Sequence, residues 1–454
     1  MTRHTPFPRV LQARALPVAA LAGVAALGLS ACGPAVGDDS GSDEAAAVDW
    51  ATVEPADSIS FWSNHPGGTM ELEQEFIDAF TEETGIEVEL VTAGANYEEV
   101  SQKFQTAQTS NDIGDMVVVS DATWFSNHVN GSLLPVDEVM EAVGNDVSTY
   151  QQTLYDDYLY EDSHYGVPYS RSTTVFYYNK DHFAAAGLDD AVPSDWEGVK
   201  AAAQTLMDAD IEGQQAAFAF PPADGYPAWV LNNLVWGYGG GWSDEWDMSA
   251  LTSPETVEAV TFAQTAVQDG WATVSSNSAG DDFAAGAASM YIGSTGSLGG
   301  VTDSADFEVG VGLLPGGPVE QDLVVPTGGA GIGISAKSTP EEQLAAAQFM
   351  DFVTNAENTA EFSEFTGYMP VRTDSDLSAL YEQNPNYEIA VNQLEERSRT
   401  QDFGRVLLPG GDHELSQALQ EILTTDVDVE ERLQASQETM TGLYESDLAD
   451  TLEN

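Results

Sequence analysis

Between Ser58 and Val119 the chain alternates two hydrophobic periodicities, and that alternation constrains its fold more than any other feature. Ser58-Ile59-Ser60-Phe61-Trp62 reads as a strand that runs into a Pro66-Gly67-Gly68 turn. Met70 to Thr84 then places Leu72, Phe76, Ala79 and Phe80 on one helical face, with Gly85 where a C-terminal cap belongs. Ile86, Val88 and Leu90 alternate with glutamates in a second strand. Met116 to Val119 is a short unbroken apolar run, the pattern of a strand covered on both faces. Strand, helix and strand in this order predict an α/β architecture with a largely parallel sheet.

The rest of the chain continues the pattern. Ser194-Asp195-Trp196-Glu197 and Thr339-Pro340-Glu341-Glu342 match the capping box, in which a hydroxyl and a carboxylate three residues apart satisfy each other's backbone N–H groups. Ser253-Pro254 opens a further helix. Strand-like runs fall at Thr174 to Tyr178, Met290 to Gly293, Val309 to Leu314 and Gly331 to Ser335, and the chain from Tyr387 onward is mostly helical in pattern. At 454 residues the chain is too long for a single core and suits two or three domains. It carries no P-loop, dinucleotide fingerprint or metal-spaced histidine pair, so neither a cofactor nor a metal is expected. His65 reads as a loop histidine, and Trp124 and Trp236 as packing residues.

Composition enters through charge. The 75 Asp and Glu residues stand against 13 Lys and Arg, a net charge of −62. Nucleic-acid binding needs basic patches that this balance does not supply. Three of the arginines (Arg3, Arg9, Arg14) precede an apolar run from Ala15 to Gly28, the layout of a secretory signal. That run ends in Leu29-Ser30-Ala31-Cys32-Gly33, which resembles the lipobox of bacterial lipoproteins and uses the only cysteine of the chain. The resemblance implies cleavage after residue 31 and a lipid on Cys32. Residues 32–54, rich in Gly, Ser, Asp and Ala at their start, read as a flexible tether that places the body outside the cytoplasm on the cell membrane. The acidic surface suits a saline habitat, where counterions screen it.

Several phrases, in order, carry a resemblance over nearly the whole chain from about Ser58. They are Tyr177-Tyr178-Asn179-Lys180-Asp181, Pro193-Ser194-Asp195-Trp196, Phe283 to Met290, and Thr366-Gly367-Tyr368-Met369-Pro370. Together they resemble the solute-binding proteins of ABC importers, in the large family of maltose-type binders. Within it the likeness is to the glycerol-3-phosphate-binding branch, through Asn96-Tyr97-Glu98, Ser172-Thr173, Gly293 to Leu298 and Gly328-Gly329-Ala330. The resemblance implies a two-lobe, periplasmic-binding-protein-like (Venus flytrap) α/β fold that closes on a solute and presents it to a membrane permease. Chain crossings are expected near Ser170–Thr173, Phe307–Gly310 and Thr366–Val371. One lobe would then comprise residues 55–171 and 310–366, the other residues 172–309 and 367–454. A monomer without enzymatic activity is expected.

Carried over residue by residue, the branch's ligand contacts fall on Tyr97, Asp121, Ser172, Ser294, Gly329 and Tyr368. Asp121 stands where the branch usually has glutamate. The branch's phosphate-gripping arginine aligns with Asp412, a carboxylate that would repel phosphate. Arg171 and Arg405 lie close enough in sequence to replace it. Trp62 and Trp229 are further candidates for the cleft wall from their loop contexts. The ligand is therefore a glycerophosphate or glycerophosphodiester held by a relocated arginine, or a neutral sugar. A secreted carbohydrate-active hydrolase and a non-transport surface lipoprotein are the other classes. With 75 acids a catalytic carboxylate pair has no specificity as a signal, and no Gly-x-Ser-x-Gly or His-Glu-x-x-His phrase is present.

Overall fold

The computed structural model describes residues 48–65, 68–110 and 113–452. The expected export signal, Cys32 and most of the tether lie outside them. Strand β1 (Ser58–Ser63) pairs parallel with β2 (Glu87–Thr92) and with β3 (Met116–Ser120). The helix Gly68–Thr84 joins the first two, and Gly85 follows it at φ +81°, a left-handed turn that costs a residue without Cβ little. After a short hairpin of β4 (Leu159–Tyr160) and β5 (Ser163–His164) comes β6 (Val167–Asn179), buried along its whole length.

The second lobe adds β7 (Ala216–Phe220), β8 (Ala272–Val274), β9 (Ala288–Ser294) and β10 (Val309–Gly312). The chain then returns through β11 (Val325–Ile334), which β12 (Ser398–Arg399) extends at one end. The strand order is β2-β1-β3-β11-β6-β9-β7-β8. β6 joins the two lobes: it pairs with β11 from Val167 to Thr173 and with β9 from Thr174 to Tyr178.

Two expectations are corrected here. The sheet is mixed rather than largely parallel, because β11 runs antiparallel to both β3 and β6, and β6 antiparallel to β9. Two strands that each travel from one lobe toward the other must cross the sheet against their neighbours. The return near Phe307–Gly310 also comes later, since β10 still pairs with β6 as far as Gly312 with Phe176. Residues 310–312 therefore lie with the second lobe.

Pleating sends alternate side chains into two cores, one on each face of the sheet. Met116, Val118, Val175 and Tyr177 enter the core that holds Phe61 and Phe349. Val117, Val119, Phe176 and Tyr178 enter the one that holds Phe104, Trp124 and Trp236. Each core continues from one lobe into the other.

Local signals set the helix starts. Thr339 and Glu342 form the reciprocal capping box, with Pro340 in the first helical turn, and the Ser253 side chain accepts from Thr256 N–H. Before the Trp196–Asp208 helix the cap is Asp195, not Ser194: its carboxylate accepts from Gly198 N–H at 2.8 Å. His65 lies in the loop after β1, as expected. It is buried, with Nδ1 2.7 Å from the buried Glu73, whose carboxylate also accepts from Ser63 and Tyr169. Among the described residues no helix is long and apolar enough to cross a membrane.

Candidate functional site

Where the lobes meet, a cavity collects residues from eight separate stretches of the chain. The first lobe supplies Tyr97 and Asp121, the strands between the lobes Ser172 and Gly329, and the second lobe Trp229, Ser294, Arg405 and Asp412. Tyr368 comes from the third crossing segment. Glu98, Ser120, Ala122, Tyr226 and Gly328 complete the wall.

Local structure aims these groups. Asn96 caps the Tyr97–Ala107 helix by accepting from Glu99 N–H, so Tyr97 and Glu98 occupy its first turn and face the cleft. The hydroxyls of Tyr97 and Tyr368 lie 3.4 Å apart, and burial pushes both above the ordinary tyrosine range, keeping them protonated as donors. Asp121 follows β3, and its backbone N–H donates to the Gly329 carbonyl at 3.1 Å. Gly329 has φ +88°, and any Cβ there would overlap the Ser170 carbonyl oxygen. The Trp229 indole N–H donates to Thr327 O at 2.7 Å, which lays the ring over Gly328, where a Cβ would meet it at 2.6 Å.

The polar centre is Arg405. Its Nη1 is 3.4 Å from Asp121 Oδ2, across the cleft, and donates to Gln401 Oε1; its Nε is 2.9 Å from Asp412 Oδ1. Gln401 in turn donates to Asp121 Oδ2 at 2.6 Å. Burial raises the Asp412 carboxyl above the usual carboxylate range; Arg405 opposes the shift and Asp121 adds to it. Glu98 is raised as well, again by burial first, with Asp412 and Asp121 contributing. A single guanidinium therefore faces three carboxylates within aromatic walls. Among the described residues no cluster of His, Cys, Asp and Glu is arranged to hold a metal ion.

The model of the bacterial extracellular solute-binding protein family matches residues 75–389. The chain belongs to that family. The sn-glycerol-3-phosphate-binding periplasmic protein UgpB of Pectobacterium atrosepticum is 26% identical over 372 residues, 76% of this chain and 81% of that relative. Among solved structures, UgpB from Mycobacterium tuberculosis in complex with glycerophosphocholine superposes with a TM-score of 0.80 at 37% identity, covering 86% of this chain and 99% of that one. The GacH receptor of Streptomyces glaucescens, solved with and without acarbose, gives a TM-score of 0.71 at 20% identity over 86% of this chain and 98% of its own. At that identity the likeness is one of fold, and the fold is the two-lobe α/β binder. This solute-binding protein is thus extracytoplasmic.

The solute-binding protein holds two of the expected residues away from its cleft. Arg171 is 0% exposed and lies under the floor: Nη1 donates to the Tyr158 hydroxyl at 2.8 Å and Nη2 to Asp157, which also accepts from Thr327 at 2.6 Å. Burial pushes the Asp157 carboxyl up to about 6, against the pull of Arg171 and the Thr327 bond. The reason is strand geometry: Ser172 faces the cavity, so its neighbour Arg171 faces the opposite side of β6. Trp62 is a packing residue, edge-on to Phe104 at 6.2 Å and seated where Gly114 leaves room.

Sequence reasoning passed over Glu98 and Tyr226 as site residues. Glu98 looks like an ordinary acidic residue in a first helical turn. Tyr226 carries a stronger signal, since it precedes Pro227, which excludes the right-handed helical conformation. In the structure it takes φ +58°, ψ +52°, a strained conformation for a tyrosine, and stands half exposed at the cavity wall.

Proposed function

We propose that this solute-binding protein captures a glycerophosphodiester by lobe closure and delivers it to an ABC permease. The observation that carries the reading is the charge balance of the cleft, with Arg405 alone against Glu98, Asp121 and Asp412. A phosphate monoester brings roughly −1.5 to −2 charges at neutral pH and would be repelled by the carboxylates. A diester brings only one negative charge, which a single guanidinium matches. A cationic arm on the diester would gain from the same carboxylates. The relative crystallised with glycerophosphocholine, at 37% identity, supports this choice over a sugar. Tyr97, Ser172, Ser294, Gly329, Trp229 and Tyr368 would shape the pocket around the glycerol and the second alcohol.

Calorimetric titration with glycerophosphocholine, sn-glycerol 3-phosphate and maltose tests the reading. The diester should bind most tightly of the three, and Arg405→Ala should weaken it at least about tenfold, the scale of one charge-assisted hydrogen bond. Binding of maltose with no response to the diester would overturn the proposal.

A lipid on Cys32 is a separate proposal, supported by the lipobox-like phrase and by the absence of a second cysteine. In cells of a bacterium that processes lipoproteins, the full chain should enter the membrane fraction with a diacylglyceryl mass on its new N-terminus. Cys32→Ser should release it. Equal membrane association of that variant would refute the anchor.

A further inference from the structure

Beside the cleft lies a second chamber, open to solvent, between the Tyr97–Ala107 helix on one side and the Gly411–Thr424 helix on the other. It adjoins the cleft, because Glu98, Ala122, Tyr226, Arg405 and Asp412 line both spaces. The two differ in chemistry. The cleft is walled by four aromatic rings (Tyr97, Tyr226, Trp229, Tyr368), whereas the chamber wall carries Tyr226 and the imidazole of His413. The rest of the chamber wall mixes apolar groups (Ala223, Leu408, Pro409) with hydroxyl, amide and carboxylate side chains, among them Gln102, Gln105 and Ser416. Ser416 is 4% exposed, and its hydroxyl has no partner within the protein, although it borders the empty space. A buried hydroxyl without a partner is costly, and turning about χ1 toward the chamber would let a ligand hydroxyl satisfy it.

We propose that the chamber is a head-group site for polyhydroxylated alcohols, so that the protein takes glycerophosphodiesters whose second alcohol is a cyclic polyol larger than glycerol. This inference rests on the diester reading above. The phosphodiester would lie at Arg405, on the border of the two spaces, with the polyol reaching across to Ser416 and the amides. A quaternary ammonium head group gains from aromatic faces and offers no hydroxyl, so it fits the cleft rather than the chamber. Hydroxyls on a ring instead meet carboxylates that accept, amides that donate and serines that do both. An occupant of the chamber touches a helix of each lobe, so it too would favour the closed form.

The test compares glycerophosphoinositol with glycerophosphocholine by calorimetric titration of the wild type, Ser416→Ala and Gln102→Trp. The first variant deletes the unpartnered hydroxyl. The second places a bulky ring on an exposed helical position at the chamber wall, where folding is not at risk. Glycerophosphoinositol should bind the wild type and lose about threefold to tenfold in Ser416→Ala, and more in Gln102→Trp, while glycerophosphocholine changes by less than about twofold. Wild-type binding of glycerophosphocholine without glycerophosphoinositol overturns the chamber site and leaves the diester reading standing. Equal weakening of both ligands in the variants also overturns it. Binding of neither diester overturns both proposals together.

Discussion

Replacing Arg171 by alanine is expected to destabilise the folded chain by about 3–5 kcal/mol, the range for breaking a buried ion pair by removing one partner. The guanidinium is fully buried, and Asp157 beside it would be left as an unpaired buried carboxylate. The loss should depend on pH in a definite direction. Asp157 already titrates at about 6 in the folded protein, above its unfolded value of about 3.9, because burial disfavours its charged form. Without Arg171, which pulls the value down, it rises further. A carboxyl raised on folding favours the folded state when protonated, so its penalty is in force at high pH and relieved as pH falls. The deficit of the variant, measured by urea unfolding, should therefore shrink between about pH 8 and about pH 5. The double variant Arg171→Met with Asp157→Leu should recover most of the stability, since it removes both charges. A deficit that stays constant over that range, or no recovery in the double variant, would show that the ion pair does not account for the loss. Folded Arg171→Ala should keep its ligand affinity within a few fold, because the guanidinium lies under the floor and not in the cleft.

The second large effect is expected at Gly329. Its φ of +88° strains any residue with a Cβ, and that Cβ would overlap the Ser170 carbonyl oxygen and lie 3.0 Å from Arg171 Cα. The left-handed conformation alone costs a non-glycine residue about 1–3 kcal/mol. The overlap adds to that, because both partners are backbone of the β6–β11 ladder and cannot turn aside. Gly329→Ala should lose at least about 3 kcal/mol and the thermal stabilisation conferred by ligand, since Asp121 hangs from the Gly329 carbonyl. Gly131→Ala is the control: Gly131 has φ +64° with nothing within 4 Å of a new Cβ, so it reports conformational strain alone. If the two variants unfold at the same denaturant concentration, the close approach at Gly329 relaxes freely and the floor is not rigid.

Much of this was legible in the sequence, for reasons that differ from residue to residue. β1, the helix after it and β3 announced themselves through periodicity, and the Thr339 capping box through its spacing. The cleft residues Asp121, Ser172, Gly329 and Tyr368 were reached through phrases shared with a family, not through any periodicity. The misreading of Arg171 had a remedy within the sequence: a strand that turns Ser172 toward a ligand turns residue 171 away from it. Trp62 had no such remedy, because its burial depends on the bare backbone of Gly114, far along the chain. The mixed sheet was hidden for a similar reason. Strand direction depends on where β6 and β11 travel, and an unbroken apolar run carries no record of direction. Tyr226 was signalled by the proline after it, yet a tyrosine before proline marks many turns that bind nothing.

Arg405 does not wait in the cleft as a bare charge. It already holds Asp121 from one lobe and Asp412 from the other. On the reading proposed above, an arriving anion competes with both of them for the guanidinium, so affinity is a difference between ion pairs rather than the strength of one. Such a difference is small by construction. The protein's own carboxylates would then be resident competitors that screen out weak anions and, on release, refill the place that the solute leaves. Capture and surrender are then two directions of one exchange, tuned by the geometry of Asp121 and Asp412.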